Sequence, residues 1–288
     1  MKHNNSQNIT LDNITSSQVE NMTYVELISL IRETNRCPGG KNTIRKILQN
    51  TFINSESKVL EVGSNTGFTS LEIARTAKCH VVGIDVVESA VIESCRELSN
   101  DMQNIQKLVK FQIGSALSIP YPDNTFDLVV VGGATSFIEN KQKALKEYYR
   151  VVAPWGFLSV TNLCYHKTPP QKIVQDVSAI IGVKIEPWSA EEWLELFNKN
   201  SLFETYLFEK HELNPQSSER ISEYVEYFLK KDHLCNLPTD VKGAIRRRWR
   251  QTLDVFNENH KYLGFMLTLF RKRALPEEPE LFGTRINI

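Results

Sequence analysis

A chain of 288 residues with 41% hydrophobic and 24% charged residues is long enough to bury a core without disulfides or metal ions, as soluble globular proteins do. The 34 basic and 34 acidic residues balance, so no overall field draws the chain to nucleic acid or to an anionic membrane, and we expect neither as a partner. The five cysteines form no C-x-x-C pair, which indicates reduced thiols, no metal site and a cytoplasmic location.

The N-terminal part of the chain changes from a polar arm to helical patterns. Residues 1–14 have no apolar signal core and predict a disordered arm. Residues 16–34 carry apolar side chains at helical spacing, and a second helix is expected over residues 41–50, after the turn RCPGG. We group residues 15–50 as an N-terminal helical cap.

From residue 58 onward, short runs rich in Val, Ile, Leu and Phe alternate with helical patterns. The helices are expected at residues 68–77, 88–100 and 139–150, and Ser189 with Glu192 predicts a capping box that opens another. This alternation predicts a doubly wound, mostly parallel α/β sheet. The predicted strands are KVLEV, HVVGIDV, KLVKFQIG, FDLVVVGG, WGFLSVTN, SLFETYLFEKHEL and KYLGFMLTLFRKR.

The pattern divides the remaining chain into a core, a helical insert and a tail. We assign residues 51–213 and 260–275 to the core, and residues 214–259 to the helical insert between the last two strands. The Pro- and Glu-rich residues 276–288 predict an irregular tail. In the insert, Arg246 to Arg248 and Arg250 are candidates for gripping an anionic group, although a solvated helix face explains them more simply.

The turn after the first strand, in VLEVGSNTGFTS, is the natural place for a nucleotide. A dinucleotide fingerprint, G-x-G-x-x-G, that starts at Gly63 requires glycine at positions 65 and 68. The chain has Asn65 and Phe68 there, and Phe68 would block the close helix–strand approach that the third glycine permits. A nicotinamide oxidoreductase is therefore a weak alternative, as is a non-catalytic nucleotide-binding protein.

The same turn matches a second pattern, E-x-G-x-x-x-G, at Glu61, Gly63 and Gly67. Glycine at these positions lets the backbone approach a ligand where a side chain would collide. Asp85 ends the second strand, 18 residues after Gly67, where a carboxylate can accept hydrogen bonds from both hydroxyls of a ribose. This constellation resembles the first motif and the acidic position of the class I S-adenosylmethionine-dependent methyltransferases.

Two further segments extend the resemblance, which runs from about residue 40 to residue 273. In FQIGSALSIPYPDNTFDLVVVGGA, Gly114-Ser115-Ala116 resembles the family's Gly-Asp-Ala step, with serine in place of the acid. A hydroxyl accepts a hydrogen bond from the adenine amino group less strongly than a carboxylate does. In EYYRVVAPWGFLSVTN, Pro154-Trp155-Gly156 stands where Pro-Gly-Gly is common.

The resemblance implies a seven-stranded sheet whose last strand is antiparallel, and S-adenosyl-L-methionine as the cofactor. The turn RCPGG is similar to one that lies over the cofactor's methionine end in small-molecule members of the family. The residues that the resemblance assigns to cofactor binding are Glu61, Gly63, Ser64, Asn65, Gly67, Asp85, Val86, Ser115, Ala116, Gly132 and Gly40.

The acceptor is expected beyond the carboxyl ends of the strands, near residues 135–137 and 162–168. The fourth strand ends in VGGATSF without the Asn/Asp-Pro-Pro motif used on amide nitrogens, and His166 and Tyr165 are the candidate catalytic residues. We expect a small-molecule acceptor held under a lid formed by residues 214–259, with a peptide, protein or carrier-bound acceptor as the alternative. A homodimer is compatible with the sequence.

Overall fold

The computed structural model describes residues 13–34, 36–199 and 203–274, which form two compact units. Of the described residues, the helical unit comprises 13–33, 168–187 and 213–262. The sheet unit comprises 34, 36–167, 188–199, 203–212 and 263–274. These boundaries differ from the expected ones, because residues 34–50 lie in the sheet unit and residues 168–187 lie in the helical unit.

The sheet unit is built on one mixed sheet with the strand order β3-β2-β1-β4-β5-β8. The first five strands in this order pair in parallel, and β8 pairs antiparallel to β5, as the resemblance implied. The strands are β1 Lys58–Val62, β2 His80–Asp85, β3 Val109–Ile113, β4 Phe126–Val131, β5 Val152–Val160, β6 Leu163–Tyr165, β7 Glu204–Glu212 and β8 Leu263–Arg271.

The strand β6 is an addition to the seven strands that the sequence predicts. Phe265 of β8 pairs with Leu163 of β6 and also with His211 of β7, so β6 and β7 lie on opposite sides of β8. Because β5 also pairs opposite β7, β6 continues the β5 side of the sheet after a short break. Three residues are too few for a recognisable alternation of apolar and polar side chains.

Helices cover both faces of the sheet and bury a separate apolar cluster on each. One cluster packs α7 and α9 against the sheet through residues such as Tyr148 and Phe197, and the other packs α3 and α4 through Ile47 and Leu71. The capping box of Ser189 and Glu192 is confirmed at the start of α9. The helices of this unit are α3 Gly40–Asn50, α4 Phe68–Ala77, α5 Glu88–Ser99, α6 Gln103–Gln106, α7 Lys141–Val151 and α9 Ala190–Asn198.

The helical unit has its own apolar core, which includes Leu27, Phe228 and Trp249. The single helix expected over residues 16–34 is wrong, since Met22 and Thr23 are extended and Thr23 forms a capping box with Glu26 that starts a new helix. The helices are α1 Ser16–Asn21, α2 Tyr24–Leu30, α8 Gln171–Ile181, α10 Ser218–Leu229, α11 Asp232–Cys235 and α12 Thr239–Asn259. In the described residues, no helix is long and apolar enough to cross a membrane.

The arginines of α12 bind other groups of the helical unit. Arg246 pairs with Glu226, Arg247 with Glu20 and Arg250 with Asp254. Arg248 donates through Nη2 to the backbone oxygen of Met22 at 2.7 Å. The three ion pairs are largely exposed, which agrees with the simpler explanation of a solvated helix face, and two of them also join α12 to other helices.

Arg150 at the end of α7 fastens the loop before β4. Its guanidinium donates to the backbone oxygens of Ile119 at 2.9 Å and Tyr121 at 2.7 Å. It also donates to both carboxylate oxygens of Glu147, at 2.8 and 2.7 Å. A fifth bond goes to Asp123 Oδ1 at 3.0 Å, and the single ammonium of a lysine cannot reproduce five bonds donated from a planar fork.

We expect Arg150→Lys to lower the free energy of unfolding by about 2 kcal/mol, because at least two charge-assisted hydrogen bonds are lost. Arg247→Lys is the matched control, since its ion pair with Glu20 is exposed and such pairs contribute about 0–1 kcal/mol. Urea unfolding of both variants measures the difference. Equal losses would contradict the role of the Arg150 fork.

Candidate cofactor site

The turn between β1 and α4 is tied to the end of β2 by backbone hydrogen bonds. The amides of Gly63 and Ser64 both donate to the Ile84 oxygen, at 2.9 and 3.0 Å, and the Gly67 amide donates to the Ser64 oxygen at 2.8 Å. Asn65 lies in the left-handed region with φ 44°. The turn is therefore closed on itself and fixed to the neighbouring strand.

Asp85 joins this turn to the segment that follows β2. Its Oδ2 accepts from the Asn65 amide and its Oδ1 accepts from the Val87 amide, both at 2.9 Å. A carboxylate has about four acceptor positions, so each oxygen keeps a free lone pair. Val86, which lies between Asp85 and Val87 in the sequence, is 67% exposed and presents an apolar surface beside the carboxylate.

Glu61 is buried behind the turn and binds groups of the protein. Its Oε2 accepts from the backbone amide and the hydroxyl of Ser70, at 2.9 and 2.5 Å. Burial raises the pKa of Glu61 to about 7, against the hydrogen bonds from Ser70 and Thr69 that lower it, and the charge of Asp85 adds to the rise. Glu61 thus fixes α4 to β1.

Gly63 and Gly67 are required by the packing of the protein itself. A Cβ at Gly63 would lie 2.5 Å from Ala134 Cβ, and a Cβ at Gly67 would lie 2.6 Å from the Phe111 ring. Their φ angles, +77° and +88°, are in the left-handed region that favours glycine. Packing against neighbouring side chains therefore requires these glycines in addition to the expected close approach to a ligand, which stays a prediction.

The residues after β3 adjoin Asp85. The Gly114 amide donates to the Asp85 backbone oxygen at 2.9 Å, and the Ser115 hydroxyl accepts from the Leu117 amide at 3.1 Å. The Ala116 side chain is buried in the core cluster that contains α7. Ser115 therefore lies beside the acidic position, whereas the side chain of Ala116 points into the core.

The turn RCPGG packs directly against the β1 turn. The Thr66 hydroxyl donates to the Thr34 oxygen at 3.0 Å, and the guanidinium of Arg36 lies 5.3 Å from the centroid of the Phe68 ring. Cys37 lies against the end of β4, since a Cβ at Gly132 would be 3.4 Å from Cys37 Cβ. The sequence does not predict that Thr66 and Cys37 belong to this region, because their contacts join segments that are distant in sequence and no local pattern contains them.

Gly40 begins α3 one turn further on. Its amide donates to the Cys37 oxygen at 2.8 Å, and among the described residues outside its own helix and chain neighbours no atom lies within 4 Å of the position that its Cβ would occupy. The structure thus brings together the turn of residues 36–40, the β1 turn, Asp85 with Val86, Ser115 and Gly132.

Tyr165 and His166 lie apart from these residues, at the end of β6. The Tyr165 side chain is buried and its amide donates to the Trp188 oxygen at 2.8 Å. His166 Nδ1 is 3.9 Å from the Glu212 carboxylate on β7. Tyr165 is the last residue of β6 and His166 follows it, in line with β5 and three strands away from β2, which ends in Asp85.

The residues present fit S-adenosylmethionine. Asp85 has free lone pairs for two hydroxyls, Val86 offers an exposed apolar wall, and the Ser64 hydroxyl is buried with no hydrogen-bond partner among the described residues. A buried hydroxyl without a partner is costly unless a ligand supplies one. Within the described residues, no group of His, Cys, Asp and Glu side chains has the arrangement of a metal site.

Comparison with known proteins identifies the family. Residues 53–202, more than half of the chain, match the family model described as a methyltransferase domain. The chain belongs to this family. The predicted membership of the class I S-adenosylmethionine-dependent methyltransferases is confirmed, and so is the cofactor of that class.

Several individual proteins resemble the methyltransferase domain described here. The crystal structure of a protein named MccD superposes with a TM-score of 0.70 and 27% identity, covering 83% of this chain and all of that one. An uncharacterised protein of Haemophilus influenzae is 27% identical over 60% of this chain and 69% of its own length. The phosphoethanolamine N-methyltransferase of Plasmodium falciparum is 30% identical over 44% of this chain and 46% of its own length.

A ubiquinone/menaquinone biosynthesis C-methyltransferase of Rickettsia bellii is 33% identical over 36% of this chain and 43% of its own length. The chain therefore spans less than half the length of the curated relatives whose methyl acceptors are named.

Gly67→Ala should lower the free energy of unfolding by about 3 kcal/mol, since it combines a left-handed φ with a clash against Phe111. Gly40→Ala is the matched control, because it has a similar positive φ and open space around its Cβ position, and about 1 kcal/mol is expected. Chemical denaturation of the two variants separates packing from backbone strain. Similar losses would exclude the clash.

Glu61 should make the stability depend on pH. Its pKa of about 7 lies above the value of 4.5 in an unfolded chain, so the folded protein holds the proton more tightly. Between pH 4.5 and 7 the unfolded state loses this proton first, and the free energy of unfolding falls by about 3 kcal/mol as the pH rises. Urea unfolding at a series of pH values should show this slope in the wild type and not in Glu61→Gln. Glu223 is an exposed carboxyl on α10, so Glu223→Gln is the control and should keep the slope. If Glu61→Gln also kept the slope, Glu61 would be ionised in the folded protein.

Proposed function

We propose that this chain transfers the methyl group of S-adenosylmethionine to a small-molecule acceptor, by in-line displacement at the carboxyl edge of the sheet unit. The observation that carries the proposal is the placement of Asp85 at the junction of the β1 turn and β2, with free lone pairs and an exposed apolar neighbour. That arrangement suits a ribose whose base lies against Val86.

The roles of the other residues follow from their positions. The Ser64 hydroxyl is available to the amino acid part of the cofactor, and Gly40 and Gly132 lie on the two sides of Cys37, next to the same end of the site. The cofactor supplies an electrophilic methyl group when it is bound. The protein binds it, orients the acceptor and excludes water.

A small molecule is the favoured acceptor class. The balanced charge gives no general attraction to nucleic acid, and β4 is followed by Gly132-Gly133-Ala134, without a motif for amide nitrogens. Curated relatives are named for phosphoethanolamine and for ubiquinone or menaquinone biosynthesis, which are small acceptors. A peptide, protein or carrier-bound acceptor is the alternative. The lid formed by residues 214–259, the homodimer and the cytoplasmic location stay predictions.

Tyr165 and His166 stay candidates for the acceptor side of the site. Both follow β5 by way of β6, on the side of the sheet edge away from Asp85. A general base is needed only when the attacking atom carries a proton at the moment of transfer. A histidine with a carboxylate 3.9 Å away is suited to that task, whereas the buried Tyr165 is suited to shaping the site.

Isothermal titration with S-adenosylhomocysteine tests the cofactor site. We expect micromolar binding to the wild type and at least tenfold weaker binding to Asp85→Ala, about 1.4 kcal/mol or more. Asp127→Ala is the matched control, because its Oδ2 also accepts a backbone amide, that of Lys58, at the opposite end of the strands. Equal affinity of Asp85→Ala and the wild type would contradict the proposed site.

The acceptor class is tested with S-adenosylmethionine that carries a radiolabelled methyl group. After incubation with a cell extract, label in the small-metabolite fraction supports the proposal, and label confined to macromolecules supports the alternative acceptor. If the protein neither forms S-adenosylhomocysteine nor binds the cofactor, both the small-molecule proposal and the alternative acceptor are contradicted.

A further inference from the structure

Asn162 is a fully buried residue whose side-chain amide is unsatisfied. It is 0% exposed, and neither its Nδ2 nor its Oδ1 has a hydrogen-bond partner among the described residues. An amide offers two donors and two acceptor lone pairs, and leaving them unmade in the interior is costly. Leucine has the same branched arrangement of side-chain heavy atoms and would carry no such cost, so a partner from outside the described residues would account for the amide.

The backbone of Asn162 is held on both sides. Its oxygen accepts from the Met266 amide of β8 at 2.9 Å, and the preceding Thr161 donates to the Val131 oxygen of β4 at 3.0 Å. The Thr161 oxygen also lies 3.5 Å from the position of a Cβ at Gly133. Asn162 therefore has a fixed place at the carboxyl edge, directly beyond β5 and beside the Gly132-Gly133 turn.

Ser64 occupies the corresponding place beyond β1. It too is buried, and its hydroxyl also has no partner among the described residues. Since β1 and β5 both flank β4, the two residues are separated by two strand spacings, about 10 Å. The Ser64 side chain lies toward β2, since a Cβ at Gly83 would be 2.8 Å from Ser64 Cβ. The two unsatisfied polar side chains thus lie beyond the two strands that neighbour β4, Ser64 toward Asp85 and Asn162 on the opposite side of β4.

We propose that the Asn162 amide binds the acceptor substrate through a group that carries both a hydrogen and a lone pair, an amino or hydroxyl group. This inference rests on the proposed function, and assigns Ser64 to the cofactor side and Asn162 to the acceptor side of the transfer. The Asn162 Oδ1 accepts the N–H or O–H of that group and turns its lone pair toward the end of β4.

The amide orients the acceptor and takes no proton. In the transfer, the lone pair of the acceptor forms a bond to the methyl carbon, the carbon–sulfur bond breaks, and its electron pair stays on sulfur. An asparagine cannot accept the proton of the acceptor at neutral pH, so that proton passes to water or to a base such as His166. Because the amide has both donors and acceptor lone pairs, it matches a group of the acceptor that carries a hydrogen and a lone pair, such as a hydroxyl or an amine.

Asn162→Leu tests the assignment with three readouts. We expect its melting temperature, without any ligand, to rise by a few degrees, because the unsatisfied amide is removed. Its affinity for S-adenosylhomocysteine should stay within twofold of the wild type. Transfer of radiolabelled methyl from S-adenosylmethionine to a small-metabolite extract should fall at least a hundredfold, and Asn162→Ala should show the same loss of transfer.

Thr268→Val is the matched control, since Thr268 on β8 is also fully buried and its hydroxyl has no partner among the described residues. It should gain stability as Asn162→Leu does while keeping the transfer rate. A lower melting temperature of Asn162→Leu, or an unchanged transfer rate, would overturn the assignment. Failure of the wild type to bind S-adenosylhomocysteine would instead contradict the proposed function, whatever the Asn162 variants do.

Discussion

The bridge made by the Asp85 carboxylate is the constraint on which the candidate site depends. It accepts one amide from the β1 turn, that of Asn65, and one from the segment after β2, that of Val87. A single side chain thereby fixes two loops that are twenty residues apart in sequence. Because each oxygen uses one lone pair for the protein, the same carboxylate can hold the loops and still bind a ligand.

The close packing behind this bridge explains why the glycines of the turn are where they are. The Phe111 ring fills the space that side chains at Gly67 and Gly83 would need, with distances of 2.6 Å to both Cβ positions. Glu61 then ties the start of α4 to β1 through Ser70. The turn is consequently rigid before a ligand arrives, which reduces the entropy that binding has to offset.

The parallel strands and the position of Asp85 can be predicted from the sequence because both depend on patterns of neighbouring residues. Buried parallel strands are continuous apolar runs, and Asp85 stands at the end of one of them. The helix break at Met22 cannot be predicted from the apolar residues, because their helical spacing continues through it. The capping box at Thr23 nevertheless starts a new helix there. The strand β6 and the packing of Cys37 against Gly132 depend on contacts between distant segments, which no local pattern contains.

The distribution of charge along the carboxyl edge suits the reaction that we propose. The sulfonium group of the cofactor is positive, and this charge is dispersed as the methyl group moves to a neutral acceptor. A carboxylate beside the reacting carbon would stabilise the positively charged reactant more than the transition state, in which that charge is dispersed. The two unsatisfied polar side chains beyond the strands that neighbour β4, Ser64 and Asn162, carry no ionisable group. The Asp85 carboxyl is at the end of β2, separated from β4 by β1. The edge thus places charge where binding needs it and neutral hydrogen-bonding groups where the methyl group would be transferred.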